Sequence, residues 1–280
     1  MVSLTVAYAG RDGAHAATAC DRLFAESATV VPLPSFAAVA EATVAGEVQF
    51  GVLPIESTLV GPIAETHDLL QAAPLSIANE TVLHVRHCLL GIGQVPLEQI
   101  RVVRSHAAAL DQCRRLLAAM PWASAIASGS TAEAAAEVAE RGDPSEAAIA
   151  SERAAELYGL TVVSADVGDH PETYTRFVSV ATHTRLDRIP GEEWRTAFSF
   201  VTDHRPGALH RAIEPFARHG IDLVQLVSRP IPDTPWRYCF HAVLAGHPLD
   251  EPISGALREV RLQTRRLKVF GSYPARSEDS

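Results

Sequence analysis

Three short segments combine hydroxyl, carboxylate and guanidinium side chains in patterns able to bind and activate an oxygen-rich anion. The first runs Gly51-Val52-Leu53-Pro54-Ile55-Glu56-Ser57-Thr58-Leu59-Val60-Gly61 and is followed by Thr66-His67-Asp68-Leu69-Leu70. A buried strand leads into a polar turn and then a helix. The hydroxyls of Ser57 and Thr58, with free amides near the helix start, make a site for a carboxylate. The same pattern is also an ordinary helix cap, in which a hydroxyl satisfies backbone donors. The second segment is Ser105-His106, again at a strand-to-helix turn, where His106 either contacts an anion or caps. The third is Thr173-Tyr174-Thr175-Arg176-Phe177. An arginine at a strand start can hold a carboxylate through its planar fork, and Thr175 beside it can donate to a reacting oxygen. A surface arginine on an edge strand is the plainer alternative. A fourth stretch, Gly10-Arg11-Asp12-Gly13-Ala14-His15, has neither the spacing of a dinucleotide fingerprint nor a P-loop lysine, and reads as a tight turn.

Other chemistries find no support. His84-x-x-His87 lies in an extended run, where this spacing sends the two side chains to opposite faces, so no metal site is expected. Cys113 falls in an amphipathic helix and reads as core. No G-x-S-x-G elbow of a serine hydrolase occurs. The net charge is −9, from 33 acidic and 24 basic residues, with no basic cluster, which argues against a nucleic-acid partner. A local arginine still allows an anionic substrate. Lys268 is the lone lysine among many arginines and alanines, a composition that suits a GC-rich genome and carries no function. Cys20, Cys88, Cys113 and Cys239 are scattered without a C-x-x-C pair, as expected of reduced, buried thiols. With no run of 18 apolar residues and no signal-like start at Met1–Val6, neither a membrane span nor secretion is expected, and the expected location is the cytoplasm.

The elements that must position these residues follow from the hydrophobic pattern. A length of 280 residues suggests roughly two domains. Strands are expected at Leu4–Tyr8, Thr29–Leu33 and Val48–Leu53, the last ending at Pro54, with helices at Ala14–Glu26 and Phe36–Ala45. An extended run, Leu75–Gly91, leads to a second series: strands at Arg101–Arg104, Ala123–Ala127, Ala147–Ala150 and Leu160–Ala165, and helices at His106–Ala118, Thr131–Glu140 and Glu152–Tyr158. Thr175–Ala181 returns as a strand. This alternation is that of parallel α/β sheets, and two such lobes bind ligands in the crevice outside strand C-terminal ends. Thr182–Glu193 reads as a linker. The order beyond it, strands at Arg195–Thr202, Ile221–Ser228, Trp236–Ala245 and Arg266–Tyr273 with helices at Gly207–His219 and Pro252–Gln263, is the βαββαβ of a ferredoxin-like domain. The tail Ala275–Ser280 reads as frayed.

In this order the segments resemble those of the prephenate dehydratase family with a C-terminal ACT domain, over nearly the whole chain. Gly51–Gly61 is similar to G-V-x-P-I-E-N-S-x-x-G, Thr66–Leu70 to T-x-D-L-L, Ser105–Leu110 to S-H-P-Q-A-L, and Thr175-Arg176-Phe177 to T-R-F. Gly207-Ala208-Leu209 and Ser228-Arg229-Pro230 resemble the G-A-L and E-S-R-P motifs of the ACT domain. The resemblance implies an α/β fold: a two-lobed catalytic domain like a type 2 periplasmic binding protein over 1–183, then an ACT domain over 194–274. The lobes are expected at about 1–78 plus 176–183, and 79–175. It implies a lyase converting prephenate to phenylpyruvate with loss of carbon dioxide and water, with no metal or organic cofactor. It implies a homodimer or homotetramer that binds phenylalanine at the ACT interface. Thr175 would assist the leaving hydroxyl and Arg176 would hold a carboxylate, with Glu56 the third catalytic residue. Ser57, Thr58, Ser105, His106, Thr173 and Phe177 would bind substrate. Gly207, Ala208, Leu209, Ser228, Arg229 and Pro230 would hold the effector.

The departures from the family pattern concentrate in the expected cleft. Its G-x-x-G-T-[FY]-S opening is Gly10-Arg11-Asp12-Gly13-Ala14-His15-Ala16, the asparagine of P-I-E-N-S is Ser57, and the proline and glutamine of S-H-P-Q are Ala107 and Ala108. The asparagine two residues before T-R-F is Thr173, and the glutamate of E-S-R-P is Val227. Two further readings follow. A non-aromatising prephenate decarboxylase would keep the ring hydroxyl and would lose donors that help it leave. A non-catalytic amino-acid-sensing module would keep only the fold.

Overall fold

The computed structural model describes residues 4–25, 28–183, 192–232 and 234–276. The first lobe comprises β1 (Leu4–Ala9), α1 (His15–Phe24), β2 (Ala28–Leu33), α2 (Phe36–Ala45), β3 (Phe50–Ser57), the short β4 (Gly61–Pro62), α3 (Ala64–Ala72) and β5 (Ser76–His84). The second comprises β6 (Cys88–Gly91), β7 (Val102–His106), α4 (Ala107–Asp111), α5 (Arg114–Ala119), β8 (Ser124–Ser128), α6 (Thr131–Arg141), β9 (Glu146–Ala150), α7 (Glu152–Tyr158) and β10 (Thr161–Ser164). The strand β11 (Tyr174–Ala181) returns to the first lobe. The C-terminal domain holds β12 (Trp194–Val201), α8 (Ala208–Arg218), β13 (Leu223–Pro230), β14 (Tyr238–Ala245), α9 (Glu251–Gln263) and β15 (Arg266–Pro274). Most of the expected linker, residues 184–191, lies outside the described residues. No helix among the described residues is long and apolar enough to cross a membrane.

The first sheet has the order β2-β1-β3-β11-β5, with β4 beside β3, and the second β10-β6-β9-β7-β8. The strand β5 pairs with β11 along its whole length, from Ser76 to His84. The chain therefore crosses between lobes at 85–87 and again at 165–173, a few residues beyond the expected boundary at 78–79. Serines start three of the helices: Ser35, Ser130 and Ser151 accept the amides of Ala38, Glu133 and Ala154. The expected helix at 106–118 is two helices. The carboxylate of Asp169 accepts the amides of Arg114 and Arg115, which starts α5 afresh after a break at Gln112 and Cys113.

The third sheet has the order β13-β14-β12-β15, antiparallel throughout, which is the ferredoxin-like arrangement. One face is covered by α8 and α9, around Phe198, Phe200, Phe216 and Leu244. The other face joins the first lobe. Phe270, Tyr273 and Ala197 enter one continuous core with Leu53, Leu70, Ile77 and Val180. Lys268 donates from Nζ to the carbonyls of Leu70, Gln71 and Ala73, closing the C-terminus of α3, where a cation suits the helix dipole. The tail is partly anchored, because the amides of Ala275 and Arg276 bond to Glu193 O and Glu80 Oε1.

At the centre of this joint His67 of α3 meets His241 of β14, with ring centroids 4.8 Å apart, and His241 stacks on Phe270. Burial, and then the charge of Arg229, push the His67 pKa down to about 4. Burial, and then His67 itself, push His241 to about 4. An imidazole ordinarily titrates near 6.5. Once this joint opens or the chain unfolds, each ring binds a proton that the docked state refuses. The stabilisation is thus complete above about pH 6.5 and is lost as the pH falls toward 4. We expect the thermal midpoint to drop across that window, and His241→Gln to shallow the drop. A profile identical in wild type and variant would contradict this.

Candidate active site

The ends of β1, β2, β7 and β8 open onto one cleft between the lobes, about 380 Å³ in volume. Gly10, Ser35, Phe36 and Glu65 line it from the first lobe, and His106, Ser130 and Thr131 from the second. The starts of α2, α3, α4 and α6 meet there. Each contributes backbone N–H groups without intrahelical partners and the positive end of a helix dipole. An anion is the ligand such a cleft favours. The Arg11 guanidinium reaches across to Glu133 of α6 at 3.8 Å. Behind the cleft Ser151 Oγ donates to Gly13 O at 2.7 Å, Tyr158 Oη donates to Asp12 O at 2.8 Å, and Arg153 pairs with Asp21.

A bulge decides which of the expected residues share a face. β3 pairs with β11 antiparallel, but the register shifts between Arg176, opposite Glu56, and Phe177, opposite Pro54. Ile55 is the extra residue. Such a bulge re-aims the side chains on one side of it, and Pro54, which has no N–H to donate, is tolerated beside it. Thr175 therefore stands beside Ser57 on the face covered by α1, the face of Phe177 and Leu83. Arg176 stands beside Glu56 on the opposite face, against the C-terminal domain.

Arg176 and Glu56 thus belong to the joint and not to the cleft, which corrects the expectation for both. Arg176 lies 3.0 Å from Glu80 and 3.5 Å from Glu56. Burial works against its charge, but Glu80 and Glu56 outweigh that and raise its pKa above the ordinary arginine value. Glu80, whose side chain is fully buried, also binds Arg195 of β12 at 2.5 Å. Glu56 accepts from Gln225 Nε2 of β13 at 2.7 Å.

Several expected substrate contacts are occupied elsewhere. Ser105 is fully buried and donates to Ile149 O at 2.6 Å. Thr173 donates to His170 O at 3.0 Å. Thr58 accepts the Tyr174 amide at 2.9 Å and ties β3 to β11. Phe177 is core beside Val52 and Leu83. Ser57 accepts the Leu59 amide at 3.3 Å, as a turn residue would. Thr175 has no hydrogen bond from its hydroxyl among the described residues, and His106 is in the cleft wall. There its Nδ1 accepts the Ala108 amide at 3.3 Å, so it caps α4 while lining the cleft.

The cleft residues that the motifs missed were partly legible. Ser130-Thr131-Ala132-Glu133 is the S-x-x-E of a capping box, and Ser35 caps α2. Nothing local marks Glu65. Nor does anything local reveal that His15 of α1 meets His87 of the crossover at 6.0 Å between centroids, with His87 bonded to Gln112 of the second lobe. Burial, then His87, push His15 to about 4.

The residues expected to hold an effector separate into two places. Ala208 and Leu209 line a cavity of about 400 Å³ with Asp203, Arg237, Tyr238 and Phe240, just past Gly207 at the start of α8. Pro230 lines a neighbouring hollow, with Tyr238 common to both. Ser228 is exposed. Arg229 instead pairs with Asp68 of α3 at 2.7 Å, so within one chain it fastens the domain to the catalytic lobe.

Relatives share this whole arrangement. A family model described as prephenate dehydratase matches residues 6–185, from β1 past the end of β11. The bifunctional chorismate mutase/prephenate dehydratase of Stutzerimonas stutzeri is 34% identical over 272 residues, covering 97% of this chain and 73% of its own length. The solved prephenate dehydratase of Arthrobacter aurescens, in complex with L-Phe, matches with a TM-score of 0.88 at 28% identity, over 99% of this chain and 91% of that one. GqqA, described as a novel type of quorum quenching acylase, matches with a TM-score of 0.88 at 30% identity, over 99% of this chain and all of that one (100%). With the model spanning both lobes and the likeness continuing through the C-terminal domain, this chain belongs to the prephenate dehydratase family.

Proposed function

We propose that this chain converts prephenate to phenylpyruvate, releasing carbon dioxide and water. Family membership supports the reaction, and the observation that carries it to this cleft is the meeting of four helix starts on one gap between lobes. Prephenate bears two carboxylates, and this gap favours negative charge at several points. In the reaction the bond from the ring to its carboxylate breaks and its electron pair enters the ring. The carbon–oxygen bond opposite breaks as the ring becomes aromatic, so the enzyme has to orient the substrate and assist the departing oxygen. Orientation and a preorganised donor together can lower such a barrier by roughly 10 kcal/mol. Thr175 is the donor with an unoccupied hydroxyl at the start of β11.

The same reading makes the protein a homodimer or homotetramer with phenylalanine as effector, held beside Ala208 and Leu209. The test is the product of the protein with prephenate at neutral pH, read by mass and ultraviolet absorbance, with and without phenylalanine. Phenylpyruvate is expected, formed more slowly when phenylalanine is present. A product that has lost carbon dioxide but kept its hydroxyl would make the protein a non-aromatising decarboxylase.

A further inference from the structure

The proposed reaction has a proton balance that Thr175 does not meet. Prephenate enters as a dianion, and phenylpyruvate leaves as a monoanion with carbon dioxide and water. One proton is taken up per turnover, and it ends on the departing hydroxyl. A threonine hydroxyl can donate a hydrogen bond, but it cannot remain an alkoxide in a cleft built to bind anions. A second group must deliver the proton and be reloaded from water.

Among the described residues lining the cleft, two side chains titrate, Glu65 and His106. Glu65 stands in the first turn of α3, on the first-lobe side of the cleft. His106 faces it from the other lobe. In the neutral ring Nδ1 accepts the Ala108 amide at 3.3 Å, at the start of α4, which leaves Nε2 as the nitrogen available to substrate. The side chain is exposed, so solvent can reload it. The first turn of α4 is Ala107-Ala108-Ala109, without charge. On the strand beside it, Ser128 is the partner of His106 in register, and its hydroxyl is taken by Glu137.

We infer that His106 is the general acid of this cleft. Resting on the dehydratase reading, its imidazolium form gives the Nε2 proton to the ring hydroxyl as the carbon–oxygen bond breaks, and the neutral ring left behind accepts the Ala108 amide at Nδ1. The electron pair of that bond leaves on oxygen, which departs as water, and imidazole is reprotonated from solvent. A group in this role contributes about 10²-fold or more to rate. A histidine that only caps α4 contributes stability and no chemistry.

Asparagine separates the two roles, because it caps helices well but carries no transferable proton. With prephenate as substrate, His106→Asn is expected to keep the wild-type thermal midpoint and lose kcat by about 10²-fold or more. His106→Ala is expected to lose similarly and to recover part of its rate when imidazole is added. His106→Asn turning over at the wild-type rate would overturn the assignment. If the wild-type protein itself does not turn prephenate over, the dehydratase reading falls and this assignment with it. Normal wild-type turnover with an active His106→Asn removes this assignment alone.

Discussion

Thr175→Val is expected to lower kcat for prephenate by about 10²–10³-fold while KM changes little. That is the usual effect of removing one preorganised donor from a developing oxyanion. Valine matches threonine in shape and suits a strand, so β11 and its pairing with Ser57 should survive and the circular dichroism spectrum should not change. The measurement is initial-rate phenylpyruvate formation over a range of prephenate concentrations. A variant with the wild-type kcat would remove the hydroxyl from the chemistry and leave Thr175 as a strand residue. Arg176, one residue on, behaves differently. It acts in the joint with Glu80 and Arg195, so its loss is read first in stability.

Gly271→Ala is expected to lower the thermal midpoint by roughly 10 °C. A Cβ at this position would lie 2.2 Å from the carbonyl oxygen of Ile77, 3.0 Å from its nitrogen and 3.1 Å from its carbonyl carbon. None of these atoms can move alone, because Ile77 is paired with Val180 in the middle of the first sheet. Gly271 also has a φ of 151°, which L side chains rarely adopt. The alanine must push β15 away from β5, which withdraws Phe270 and Tyr273 from the shared core and draws Arg195 off Glu80. Overpacking and backbone strain of this kind cost roughly 3 kcal/mol together. Calorimetry with limited proteolysis is the check. A midpoint within about 2 °C of wild type would show that the two domains are not held as closely as Gly271 indicates.

The layers of this fold were readable because they depend on local pattern. Apolar runs at Leu4–Tyr8 and Arg101–Arg104, and serines before helices, report their own structure. The site was readable only in part. Thr175 and Arg176 are neighbours in the chain, and a strand sends neighbours to opposite faces. Which face turns to the joint with the C-terminal domain depends on the register against β3, and so on a bulge at Ile55 that exists only once β11 has returned from the other lobe. For that reason both Arg176 and Glu56 were expected in the cleft and are found in the joint. Ser105 and Thr173 were misplaced for a related reason. Short hydroxyl side chains at strand ends serve the nearest free carbonyl, Ile149 O and His170 O here, and the sequence does not show which carbonyl that will be. The boundary between lobes was missed by a few residues because β5 and the crossover form one unbroken extended run.

Lys268 carries the chain's single side-chain amine, and that amine is half-buried at the seam against the end of α3. In most proteins an amine-directed reagent meets a crowd of lysines and reports on none in particular. Here the composition leaves one such group, and the fold places it where the two domains are fastened. Its acylation is therefore a chemical gauge of the seam: slow while the three carbonyls hold it, fast once they let go, and legible as one mass increment on one peptide.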